Sequence, residues 1–156
     1  MRFIYRKIAE TLELLAVFGL LVIPPLFSRL EGPLFSKPTD GLESARFVAG
    51  IIALALYEEA LFRAYLPARI RAWANGILPR LISPLAEGLP LACFALGHRY
   101  LGYANVLVAL AAGFALRALY LAVKKKTGSV LAALAGTGAL HAAWNLAAYL
   151  LLFRSS

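Results

Sequence analysis

The sequence predicts an all-α protein, a polytopic bundle of about five transmembrane helices forming one membrane domain over residues 1–156. Three observations lead there. The chain is 62% hydrophobic and only 15% charged, with a mean hydropathy of +0.76, where soluble domains run near half apolar and a quarter charged. Its apolar runs are long and end in basic clusters. Ionisable residues inside those runs are few. A soluble globule of this length could not hide so much apolar surface, and disordered chains are poor in apolar residues. A single cysteine, Cys93, excludes a disulfide framework and a cysteine zinc site. The net charge of +8 comes from Lys and Arg at the ends of apolar runs, where membrane topology places them. No nucleic-acid motif accompanies it, so no nucleic-acid partner is expected.

Residues 1–43 read as a first span and an external loop, and residues 44–153 as the core. The basic start Met1–Lys7 is followed by Glu10, Glu13 and an uncharged run from Leu14 to Ser28. Pro24-Pro25 rather than a small-residue cleavage site closes that run, which predicts an uncleaved span kinked at the prolines. Gly32-Pro33, Lys37-Pro38 and Asp40-Gly41 mark residues 29–46 as a polar loop. The second span is expected from about Ser44 to Leu66, and residues 67–88, with Arg69, Arg71, Arg80 and Pro84, as an interfacial connector. A short third run starts near Leu89 and reaches about Gly102. The fourth, from Tyr103 or Asn105 to Val123, carries Arg117 and is broken by Lys124-Lys125-Lys126-Thr127-Gly128. The fifth covers Ser129 to Phe153. Three basic segments, 1–7, 69–80 and 124–126, then fall on one side. The positive-inside rule puts the N-terminus in the cytoplasm and the C-terminus outside, in a bacterial inner membrane.

An ionisable residue within a span is expensive and marks function by default. Glu58, Glu59 and Arg63 lie in the second run, His98 ends the third, and His141 with Asn145 sits in the fifth. Glu59 and Arg63 are four apart, with the acid on the N-terminal side, the better orientation for a helical ion pair. Glu58 is turned about 100° from Glu59 and faces elsewhere, towards a cavity. Alternatively, both carboxylates are structural and bridge to an arginine of another helix such as Arg117. Phe94 and His98 share a face, as do His141 and Asn145. A carboxylate with an imidazole is a general base for water, and an imidazole with a carboxamide can donate to an oxyanion. Together they are equipment for hydrolysing an amide. Glu58, His98 and His141 also offer zinc three ligands, although an HExxH helix is absent.

Three ordered motifs carry a resemblance: Glu58-Glu59-x-x-x-Arg63, Phe94-x-x-x-His98 and His141-x-x-x-Asn145, with Thr127-Gly128-Ser129 before the last. Over roughly residues 45–150 the chain resembles the CPBP or Abi intramembrane proteases, to which the type II CAAX prenyl endopeptidases belong. The resemblance implies a glutamate-type endopeptidase without a cofactor, in which Glu58 and His98 activate water. His141 and Asn145 would stabilise the oxyanion, and Glu59, Arg63 and Phe94 would support the site. It implies the bilayer and a membrane-anchored protein as partners. A short chain of this kind is similar to the myxosortase-like sorting proteases, which process C-terminal anchors. Two other classes remain open from sequence: a non-catalytic scaffold or bacteriocin-immunity protein, and a small transporter or channel subunit.

Overall fold

The computed structural model describes residues 2–27, 37–75, 80–99 and 102–154, and all its regular structure is helical. Helix α1 spans Arg2–Phe27, α2 Gly41–Glu59, α3 Leu66–Ala74, α4 Ile82–Gly97, α5 Tyr103–Thr127 and α6 Val130–Arg154. A π-helical turn, Ala60–Tyr65, joins α2 to α3 without a break. The expected loop at 29–46 falls largely outside the described residues.

Local chemistry sets the helix ends. Asp40 caps α2 by accepting from the Glu43 N–H at 2.7 Å, and the Glu43 carboxylate accepts from the Thr39 N–H and hydroxyl, both at 2.7 Å. This is a variant of the reciprocal capping box. α5 continues through Lys124–Lys126, which the sequence reading took as its break. It stops at Gly128, whose φ of 69° is left-handed and whose N–H returns to the Lys124 carbonyl at 2.9 Å. Glycine at that position closes a helix without strain, and lysines in a last turn complement the helix dipole. Ser129 then caps α6 by accepting from the Ala132 N–H at 3.1 Å. The Thr-Gly-Ser stretch is therefore a tight corner between two antiparallel helices.

The connector is in part a helix, and the expected start of the third run is corrected. The connector expected at 67–88 is helical over 66–74, and α4 begins at Ile82 rather than near Leu89. Pro84 lies in the first turn of α4, where a missing N–H costs nothing. Pro90 lies inside α4 and is buried there. α1 remains helical across Pro24-Pro25 to Phe27.

α6 packs on α2 and α5, α5 on α4, α4 on α3, and α1 against α3 and α4. α1 is fastened by polar contacts at its first turns. Lys7 Nζ donates to the Ala72 and Trp73 carbonyls at 2.7 and 2.9 Å, satisfying the C-terminal end of α3. Trp73 Nε1 donates to Thr11 at 2.9 Å, and Arg69 pairs with Glu13.

α5 and α6 are long and apolar enough to cross a bilayer, yet only 22% and 28% of their most apolar stretches are buried within the fold. Leu107, Phe114, Leu131 and Trp144 are all at least 60% exposed. Helices apolar on every side yet mostly uncovered have lipid as their compatible surroundings. α4, at 16 residues, is shorter than a full span. Among the described residues, two helices meet the crossing requirement, not the five spans expected.

Candidate active site

Four helices converge on one cavity of about 510 Å³. Glu58 comes from the last turn of α2, Phe94 and His98 from the end of α4, Asn105 from the start of α5, and His141 and Asn145 from the middle of α6. Most of the remaining lining is aliphatic, with several alanines of α5 leaving room. It is thus an apolar cavity carrying a few polar groups. An apolar space holds ordered water only where polar groups supply partners for it.

Within it, the Glu58 carboxylate and one ring nitrogen each of His98 and His141 lie within 4.8 Å of one another. Oε2 of Glu58 is 3.5 Å from Nε2 of His141. That oxygen is buried and makes no hydrogen bond among the described residues. Nδ1 of His98 lies 2.8 Å from the Phe94 carbonyl, four residues back in α4. A carbonyl only accepts, so Nδ1 carries the proton of that hydrogen bond. Asn105 Nδ2 donates to the His98 carbonyl at 2.8 Å, fixing the end of α4 from the side of α5.

Glu59 points away from the cavity and is completely buried, as the 100° offset from Glu58 requires. Its two oxygens are divided. Oε2 lies 3.3 Å from Arg63 Nε, and Oε1 lies 3.1 Å from Nδ1 of His141. The Arg63 guanidinium sits 4.6 Å above the Phe94 ring, which also meets Phe62 at 5.5 Å, His98 at 4.6 Å and His141 at 5.7 Å between centroids. Phe94 is therefore the spacer that arranges one arginine and two imidazoles around itself. Such cation–π and ring contacts gain strength when desolvated.

The alternative in which Glu58 and Glu59 bridge to Arg117 is overturned. Arg117 forks onto Glu87, with Nε to Oε2 at 2.6 Å and Nη2 to Oε1 at 2.8 Å. Its Nη1 donates to the Arg63 carbonyl at 2.7 Å. Sequence reasoning missed this pair and Asn105. The available signal was Arg117 itself, a charge in an apolar helix that requires an acid. Glu87 falls within the connector expected at 67–88, a segment that also holds Pro84.

Residues 41–147 match the family of type II CAAX prenyl endopeptidase Rce1-like proteins. The chain belongs to this protease family, and with its two apolar helices it is a membrane protein. A protein of Treponema pallidum (strain Nichols), described as uncharacterized, is 39% identical over 137 residues, covering 88% of this chain and 72% of that protein. No solved structure matches the chain.

Proposed function

We propose that the protein is an intramembrane endopeptidase that hydrolyses a peptide bond of a membrane-anchored protein with water activated by Glu58 and His98. The observation that carries this reading is the meeting of Glu58, His98 and His141 within 4.8 Å, in an apolar cavity also lined by Asn145. The Glu58 carboxylate takes a proton from water while His98 Nε2 orients it, and the oxygen attacks the scissile carbonyl carbon. The carbonyl electrons move onto oxygen, where Asn145 and His141 donate hydrogen bonds. The C–N bond then breaks as the proton held by Glu58 passes to the departing amine. The apolar surroundings strengthen each of these interactions by excluding bulk water. The substrate reaches the cavity from the bilayer of a bacterial inner membrane, with the protein's N-terminus in the cytoplasm.

The test is cleavage by purified protein in proteoliposomes. The substrates are a prenylated CAAX-type peptide and a panel of C-terminal membrane-anchor peptides. Wild type should cut at least one of them, and Glu58→Gln should be inactive though normally folded. Equal turnover by both would sink the mechanism. No turnover of any substrate would favour the scaffold or immunity reading.

A second reading is supported by the same donor set. Both imidazoles have Nδ1 tied to an oxygen, the Phe94 carbonyl for His98 and the Glu59 carboxylate for His141, as zinc-ligating histidines usually do. Glu58, His98 and His141 fit a zinc ion, which would supply Lewis-acid polarisation of water or carbonyl. Glu59 would then orient a ligand, and Asn145 would remain the oxyanion donor.

A further inference from the structure

The Arg63 carbonyl has an unusual acceptor environment. It belongs to the π-helical turn Ala60–Tyr65, where Leu66 N–H returns to the Leu61 carbonyl, five residues back. Pro67 stands four residues after Arg63 and has no N–H to offer. Arg117, from α5, donates there instead, at 2.7 Å, while its other two nitrogens hold Glu87 of α4 in a fork. A guanidinium can serve three acceptors in one rigid plane, which an ammonium cannot. One side chain thus joins α4, α5 and the irregular turn.

That turn sets the Arg63 side chain against Glu59 and Phe94. Nε and Nη2 of Arg63 are buried without a hydrogen bond among the described residues. Charge attraction and ring contact, the remaining restraints, direct the guanidinium weakly in angle. Its orientation therefore depends on the backbone, and the backbone is anchored by Arg117. Phe94 touches both imidazoles, and Glu59 holds His141.

We infer that Arg117, held by Glu87, is a positioning residue for the Glu58–His98–His141 site, acting through the Arg63 carbonyl of the π turn. The inference rests on that site being the catalytic one, and one readout below does not. π turns recur at functional sites because they misalign a helix locally and need outside support.

The experiment uses tag-free protein in detergent micelles, in which His98 and His141 are the only histidines. Thermal midpoint, the imidazole ¹⁵N NMR signals, and turnover of a quenched prenylated CAAX-type peptide are measured together. The central variant is Glu87→Leu/Arg117→Met, which removes both charges of the pair together, an exchange that is often neutral for stability; Arg71, the other partner of Glu87, is exposed and returns to water. The expected result is a near-normal midpoint with shifted or broadened imidazole signals. kcat should fall about tenfold or more, about 1.4 kcal/mol of barrier, with KM nearly unchanged. Adding Pro67→Ala restores an N–H opposite the Arg63 carbonyl and should return both the signals and much of kcat. Should the double variant misfold, Arg117→Lys, which keeps a charge facing Glu87, should show the same changes in smaller size. Wild-type signals and kcat in these variants would overturn the inference, as would no recovery with Pro67→Ala. If wild type does not cut the peptide while Glu58→Gln also changes nothing, the proposed reaction fails separately, and the imidazole signals still decide the role of Arg117.

Discussion

Oε1 of Glu59 lies 3.1 Å from Nδ1 of His141, joining the end of α2 to the middle of α6. Glu59 thus links the buried Arg63 to a residue of the cavity. Removing one member of a buried pair typically costs about 3–5 kcal/mol, because the other charge is left unmatched. Glu59→Gln should therefore lower the thermal midpoint markedly. A glutamine can still accept from His141 Nδ1 but cannot neutralise Arg63. Activity per folded molecule should consequently survive better in Glu59→Gln than in Glu59→Leu, which loses both interactions. Thermal melts paired with turnover in detergent check this. A normal midpoint in Glu59→Gln would mean that Arg63 is balanced by something other than Glu59.

Chelation separates the two readings of the cavity. If Glu58 and His98 activate water unaided, prolonged treatment with a chelator leaves turnover unchanged. If zinc is held by Glu58, His98 and His141, turnover disappears and returns on adding zinc. His98→Ala should then also lower zinc stoichiometry in the purified protein, whereas Asn145→Ala should not. Metal analysis beside kinetics gives the answer.

The three motifs were legible because each is polar in an apolar background and spaced to share one helix face. Glu58 and Glu59 separate by the plain rotation of a helix, and their different surroundings follow. The contact between Glu59 and His141 was not legible, since no local rule relates residues so far apart in the chain. The π turn was hidden for another reason: the Ala60–Tyr65 stretch has ordinary helical composition, and Pro67 alone hints at irregularity. α4 begins seven residues before the expected Leu89, because a first turn tolerates a proline such as Pro84. In the structure Pro84 occupies a first turn and Pro90 a buried interior position.

At Gly113 of α5 the neighbouring helix packs closely against the site. A Cβ there would stand 2.6 Å from Leu91 Cδ1 and 3.1 Å from Phe94 Cδ1. The leucine methyl can swing away, but the Phe94 ring is hemmed by Phe62, His98 and Arg63. Alanine gains about 1 kcal/mol of helix propensity over glycine, while overpacking costs about 1–3 kcal/mol. Gly113→Ala should accordingly be close to neutral for stability but slow turnover, because Phe94 shifts against both imidazoles. Gly113→Val should be worse on both counts. Gly88→Ala is the control: its Cβ meets nothing within 4 Å, so it should leave turnover intact. Equal kinetics in all three variants would remove Phe94 as the spacer of the site.

The last prediction concerns orientation. α6 covers 25 residues, a rise of about 37 Å at 1.5 Å per residue, more than the roughly 30 Å of a hydrocarbon core. It follows α5 through the Gly128-Ser129 corner, directly after Lys124–Lys126. Three adjacent lysines strongly favour the cytoplasmic face, so that corner should lie inside and the end of α6 outside. A reporter fused after Lys126 should register the cytoplasm, and one fused after Ser156 the exterior. Moving the lysines tests the cause: Lys124→Gln/Lys125→Gln/Lys126→Gln should weaken the bias and give mixed populations. Both fusions reporting the cytoplasm would mean that α6 does not cross. His141 would then sit in a re-entrant helix, and the cavity would open to the cytoplasm rather than to the bilayer.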